Sequence, residues 1–146
     1  MDKIQTHELD NIINFIEDEK ELNEYLTKTI SKNINFDFNN YLDKLIKDKN
    51  ISKATIIKLA GIDRTYGYQI LNGRKNASRD KILKICIAAK FTIEETNRLL
   101  SLGSYTRLYS KDSRDSIIIF SLKKGLSTID TDLLLDKYNQ IPLDQI

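Results

Sequence analysis

At 146 residues, 40% hydrophobic and 30% charged, the chain has the make-up of one globular domain with room for a small appended module. Its single cysteine, Cys86, excludes an internal disulfide, and no apolar run approaches the roughly 20 residues of a membrane span. The net charge of +2 hides a gradient: residues 1–36 hold 4 basic and 8 acidic residues, residues 37–90 hold 12 and 5, and residues 91–146 hold 7 and 8. The middle third therefore carries a net of +7, the concentration of charge that a phosphate-binding surface requires and that a solvated lysine-rich face also shows.

Short apolar clusters at spacings of three and four run throughout, and only one proline (Pro142) and five glycines interrupt them, so the chain reads as all helical. The N-terminus, Met-Asp-Lys-Ile-Gln-Thr-His-Glu, lacks the layout of an export signal, and a cytoplasmic protein is expected. A first helix is predicted from a Thr6 cap, with Leu9, Ile12, Ile13 and Ile16 as its stripe. After a polar interruption at 17–21, Leu22, Tyr25, Leu26 and Ile30 suggest a second short helix, and 31–36 reads as linker. Asp37 is the expected cap of a helix bearing Phe38, Tyr41, Leu42, Leu45 and Ile46, which Asn50 ends.

Ser52 then caps a helix with Ile56, Ile57 and Ala60 inward. Gly61 follows at once, where a left-handed residue allows a sharp turn. Asp63 caps a further helix through Leu71, stopped by Asn72-Gly73. Ser78 caps one with Ile82, Leu83, Ile85, Cys86 and Ala89 inward, and Thr92 caps another with Thr96, Leu99 and Leu100 inward. A weak repeat at an offset of 35 links Arg79-Asp-Lys-Ile to Arg114-Asp-Ser-Ile and Thr96-Asn-Arg-Leu-Leu to Thr131-Asp-Leu-Leu-Leu. It predicts a stacked pair of helical hairpins. The second hairpin, with Ile117, Ile118, Ile119, Phe120 and Leu122, then Leu126, Ile129, Leu133, Leu134 and Leu135, is apolar nearly all round. Such helices are buried on more than one side. One side is expected on the 79–103 hairpin, the other under a second protomer, a protein partner or the acidic N-terminal helices.

The sequence marks out two short helices across a glycine turn, followed by a basic loop. In residues 38–102 these are Leu42-xx-Leu45-Ile46, Asn50-Ile-Ser-Lys-xx-Ile56, Ala60-Gly-Ile-Asp-Arg64, Ile70-Leu-Asn-Gly-Arg-Lys-Asn-Ala-Ser78 and Ile82-Leu-Lys-Ile85. In these motifs the segment resembles the XRE family of phage-repressor-like helix-turn-helix proteins. The resemblance implies a five-helix bundle whose third helix enters the major groove of duplex DNA. It places base reading on Arg64, Thr65, Tyr68 and Gln69, and phosphate contact on Lys53, Asn72, Arg74, Lys75, Asn76 and Ser78. Two positions depart from the family pattern. Lys53 stands where glutamine is common, and Gly67 stands where a buried aliphatic is usual. Gly67 implies either that Tyr66 or Tyr68 lies across the gap or that another helix approaches closely.

The expected architecture is an acidic helical extension (1–36), the helix-turn-helix domain (37–103) and a C-terminal helical hairpin (104–146). The expected function is transcriptional regulation by a dimer on operator DNA. The alternative is a helical adaptor that uses the same scaffold and meets an acidic protein. No catalytic constellation, cofactor motif or metal-ligand spacing is present; His7 has no ligand partner nearby in sequence, and Cys86 lies on an apolar stripe.

Overall fold

The computed structural model describes residues 18–24 and 31–144. Among them all regular structure is helical: α1 (Glu19–Glu24), α2 (Ser31–Asp48), α3 (Lys53–Ala60), α4 (Arg64–Leu71), α5 (Arg79–Ala88), α6 (Ile93–Leu102), α7 (Ser113–Lys124) and α8 (Thr128–Lys137). The expected helix around Thr6, the Tyr25–Ile30 stretch and His7 lie outside the described residues.

The helix starts follow from side-chain caps. Ser52 accepts the N–H of Thr55 at 3.1 Å, Asp63 that of Tyr66 at 3.1 Å, and Ser78 that of Lys81 at 3.2 Å. Thr92 and Glu95 form a reciprocal capping box at 3.1 and 2.8 Å. Each cap contributes about 1 kcal/mol. Helix ends rely on left-handed residues. After α3, Gly61 takes φ 66°, its N–H reaches the Lys58 carbonyl, and Ile62 N–H reaches Ile57 O.

Two boundaries differ from expectation. α2 begins at Ser31, six residues before Asp37, so the stretch read as linker is helical. That stretch holds neither glycine nor proline, and its two asparagines cost no more than about 0.7 kcal/mol each in a helix. α1 also starts inside the polar run 17–21, with Asp18 accepting the N–H of Glu21 at 2.8 Å.

From α2 to α6 the core takes in residues that the periodicity put inward, whereas the C-terminal hairpin is buried on one side only. α2 contributes Leu42, Leu45 and Ile46; α3 contributes Ile56, Ile57 and Ala60; α4 contributes Ile70 and Leu71; α5 and α6 contribute Ile82, Leu83, Ile85, Cys86, Leu99 and Leu100. Burying each large aliphatic stabilises the fold by about 1.5–3 kcal/mol before entropy is counted. α3 packs on α4 and α5, and α2 on α6, which fixes α4 against a rigid bundle. The C-terminal hairpin adds Ile118 and Leu135, both fully buried. Its outer side is uncovered among the described residues: Ile129 is 72% and Leu133 63% exposed.

Candidate nucleic-acid interface

The geometry of α4 is set by Gly67. A β-carbon there would stand 2.8 and 2.9 Å from the two γ-carbons of Ile57, closer than real β-carbons come to other atoms. Glycine is thus required by the close crossing of α3 and α4, the second of the two readings of this position, and Ile57 leaves no hole in the seam. Tyr66 and Tyr68 are half-buried on either side, packed against the core edge. With Gly67, Ile70 and Leu71 inward, the face bearing Arg64, Thr65 and Asn72 is turned to solvent.

Three of the basic groups on this surface, Arg64, Lys75 and Lys53, rest on specific neighbours. The Arg64 guanidinium lies 5.9 Å from the centre of the Tyr68 ring and makes no ion pair among the described residues. Lys75 lies 5.7 Å from the Tyr66 ring. Contacts of this type are worth about 0.5–1 kcal/mol at exposed sites, enough to bias a rotamer. Lys53 Nζ donates to Asn72 Oδ1 at 2.8 Å and lies 3.6 Å from Asp43, so the start of α3 is tied to the end of α4.

The loop after α4 is held from within and exposed without. Arg74 and Lys75 give their backbone N–H groups to the Gln69 carbonyl at 2.8 and 3.2 Å. Ala77 is buried, and its carbonyl accepts the Tyr105 hydroxyl at 2.8 Å. The side chains of Arg74, Lys75 and Asn76 are left in solvent. Ser78 is also exposed, but its oxygen caps α5 and serves the helix first.

Of the ten residues expected to touch DNA, the structure thus links Lys53 to Asn72, Arg64 to Tyr68, and Arg74 and Lys75 to Gln69. Thr65 is exposed one residue into α4, and Gln69 is half-buried at the edge of the face. Sequence reasoning missed Tyr105 as the anchor of the basic loop. The signal in the sequence was a tyrosine directly after Gly103-Ser104.

Residues 41–98, from within α2 to within α6, match the family model of the Cro/C1-type HTH DNA-binding domain. Over that segment, about two fifths of the chain, the sequence is of the Cro/C1 helix-turn-helix type, set among described residues that are all helical in their regular structure. No curated protein and no solved structure matches the chain. Among the described residues no helix is long and apolar enough to cross a membrane.

Proposed function

We propose that the protein is a sequence-specific regulator of transcription that lays the first turn of α4 in the major groove. The observation that carries this reading is Arg64: it is exposed at the start of α4, free of any carboxylate among the described residues, and steadied by Tyr68. Arginine in that place pairs bidentately with guanine, while Thr65 and Tyr68 suit a thymine methyl and Gln69 an adenine. Lys53, Asn72, Arg74, Lys75, Asn76 and Ser78 take the flanking phosphates. A DNA target puts the protein in the cytoplasm.

A second copy is part of the proposal. One helix of eight residues reaches few base edges, and two half-sites raise both affinity and specificity. Ile129 and Leu133 on the outer side of α8 offer an apolar surface for that copy or for another protein. The adaptor reading rests on Gly67 as a departure within the recognition helix and on the modest charge; the close packing of Gly67 on Ile57 accounts for the first of these without a loss of DNA binding.

Selection of bound sequences from random duplex DNA tests the proposal. Arg64→Ala should relax one base position and cost about 1–3 kcal/mol on the preferred site. Lys75→Ala should weaken all sequences alike and lower the salt slope by about one contact. Enrichment of no motif, or equal behaviour of the two variants, would count against sequence reading.

A further inference from the structure

The two hairpins repeat each other in detail at the offset of 35. Thr96 and Thr131 each donate to the carbonyl four residues back, both at 2.8 Å. Asn97 accepts the N–H of Leu108 at 2.8 Å, and Asp132 accepts that of Leu143 at 2.7 Å. Arg79 reaches the carbonyls of Thr106 and Arg107; Arg114 reaches those of Ile141 and Pro142. Leu83 and Leu100 recur as Ile118 and Leu135, all four fully buried.

The relation between the hairpins is not that of a stack. In an open stack the second helix of one repeat meets the first helix of the next, and the converse contact is absent. Here both crossings occur: α6 packs on α7, and α5 packs on α8. The ion pairs are reciprocal as well. Arg79 holds Asp115 bidentately at 3.1 and 2.9 Å, and Arg114 holds Asp80 bidentately at 2.9 and 3.1 Å. Lys90 donates to the carbonyl of Gly125, its own counterpart at the offset of 35. A residue meeting its own counterpart, with crossed pairs on the same interface, marks a local two-fold axis. The hairpins form an internal pseudo-dimer.

A two-fold interface between related hairpins implies that matched residues of each face complement one another; the match is partial, since Lys84, buried on α5 and 3.1 Å from Asp144, has Ile119 as its counterpart. Arg79 stands beside Asp80 on the first hairpin as Arg114 stands beside Asp115 on the second. Two copies of the 79–109 face would pair Arg79 with Asp80 of the other copy, and the converse, in the same bidentate geometry. We propose that the α7–α8 hairpin occupies, within the chain, a self-complementary face of α5–α6, and that a second copy of this chain docks on that face once the resident hairpin is displaced. The intact chain keeps this face closed, so copies of it meet on DNA through another surface.

The test uses the full chain and a cysteine near the pseudo-axis, Lys90→Cys, with a short bismaleimide as cross-linker; native Cys86 is buried. In the Arg114→Asp/Asp115→Arg background the resident hairpin presents like charges to Arg79 and Asp80, while the self-complementary face is intact. A covalent dimer should appear. The otherwise unaltered background should give none, because Gly125 holds the place of a second Lys90. Adding Arg79→Asp/Asp80→Arg restores opposite charges within the chain and should abolish the dimer again. No dimer in the doubly reversed chain, equal dimer in all three, or loss of helicity by the doubly reversed chain overturns the inference.

Discussion

Replacing glycine with alanine inside a helix normally stabilises it by about 1 kcal/mol. At Gly67 the sign should invert. The added methyl would stand 2.8, 2.9 and 3.1 Å from Cγ1, Cγ2 and Cδ1 of Ile57, and Ile57 is 4% exposed. The two nearest atoms sit on the branched β-carbon, so no change of rotamer clears them both, and isoleucine in a helix has essentially one χ1 choice. The helices must part instead. Overpacking of this kind costs about 1–3 kcal/mol, which outweighs the propensity gain. A net loss of about 1–2 kcal/mol is expected, a fall in Tm on the order of 5 °C. Urea denaturation followed by far-UV circular dichroism measures it. A cycle with Ile57→Ala isolates the cause. Alone, that truncation should cost about 2–5 kcal/mol; with Gly67→Ala the new methyl enters the vacated space, and the pair should be less destabilised than the sum by about 1–2 kcal/mol. A Gly67→Ala protein as stable as the parent, or strictly additive losses, would refute the close crossing of α3 and α4.

Gly61→Val should lose about 1–3 kcal/mol in the same denaturation assay, since φ is 66° and a β-branched residue is strained there. Gly61→Asn should lose much less, because no atom lies within 4 Å of the site. Burial pushes the Cys86 thiol up to about 12 against a small opposing effect of the Thr96 hydroxyl. It should resist thiol reagents in the folded protein and react only at the rate of unfolding. Partial burial of Glu95 acts to raise its pKa, but the Thr92 N–H and Lys49, at 3.0 Å, prevail and hold it below the ordinary 4.5. A depressed folded pKa gives stability that is present above 4.5 and is lost as pH falls through the lower folded value. Glu95→Gln should therefore be less stable than the parent at neutral pH, and the gap measured by thermal melts should close below pH 4.5.

Much of this fold is written in short-range signals. Ser52, Asp63, Ser78 and Thr92 were legible as caps because a side-chain oxygen two or three residues ahead of a free N–H acts without help from the rest of the fold. Gly61 was legible for the same reason. The start of α2 was not, because asparagines in a segment without a breaker leave the choice between helix and linker to packing. Lys90 and Ser104 also take positive φ with ordinary residues, and only the apolar residue after each, Phe91 and Tyr105, hints at the stop. On α4 the resemblance pointed to Arg64, Thr65 and Asn72, which are exposed, and to Tyr68 and Gln69, which are half-buried. It did not show that Tyr66 holds Lys75, since that contact depends on the path of the loop back over the helix, whereas Arg64 and Tyr68 meet as i, i+4 neighbours within α4.

The repeat shows where such reading stops. An offset of 35 in the sequence states that two hairpins are alike, and it is equally consistent with a translation along a stack or a rotation about an axis. The difference is a matter of which surfaces meet. A stack leaves its last face open to the next unit, whereas a two-fold pair uses the same face twice and closes. The dipeptides Arg79-Asp80 and Arg114-Asp115 held the decisive clue. Opposite charges side by side, repeated, satisfy one another only when two copies face each other across an axis, as the paired bidentate contacts do here. The closed pair also bears on function. It buries one side of the C-terminal hairpin against α5 and α6 and leaves Ile129 and Leu133 on the other. A second copy, if the proposed dimer forms on DNA, meets the chain at a surface other than the closed face.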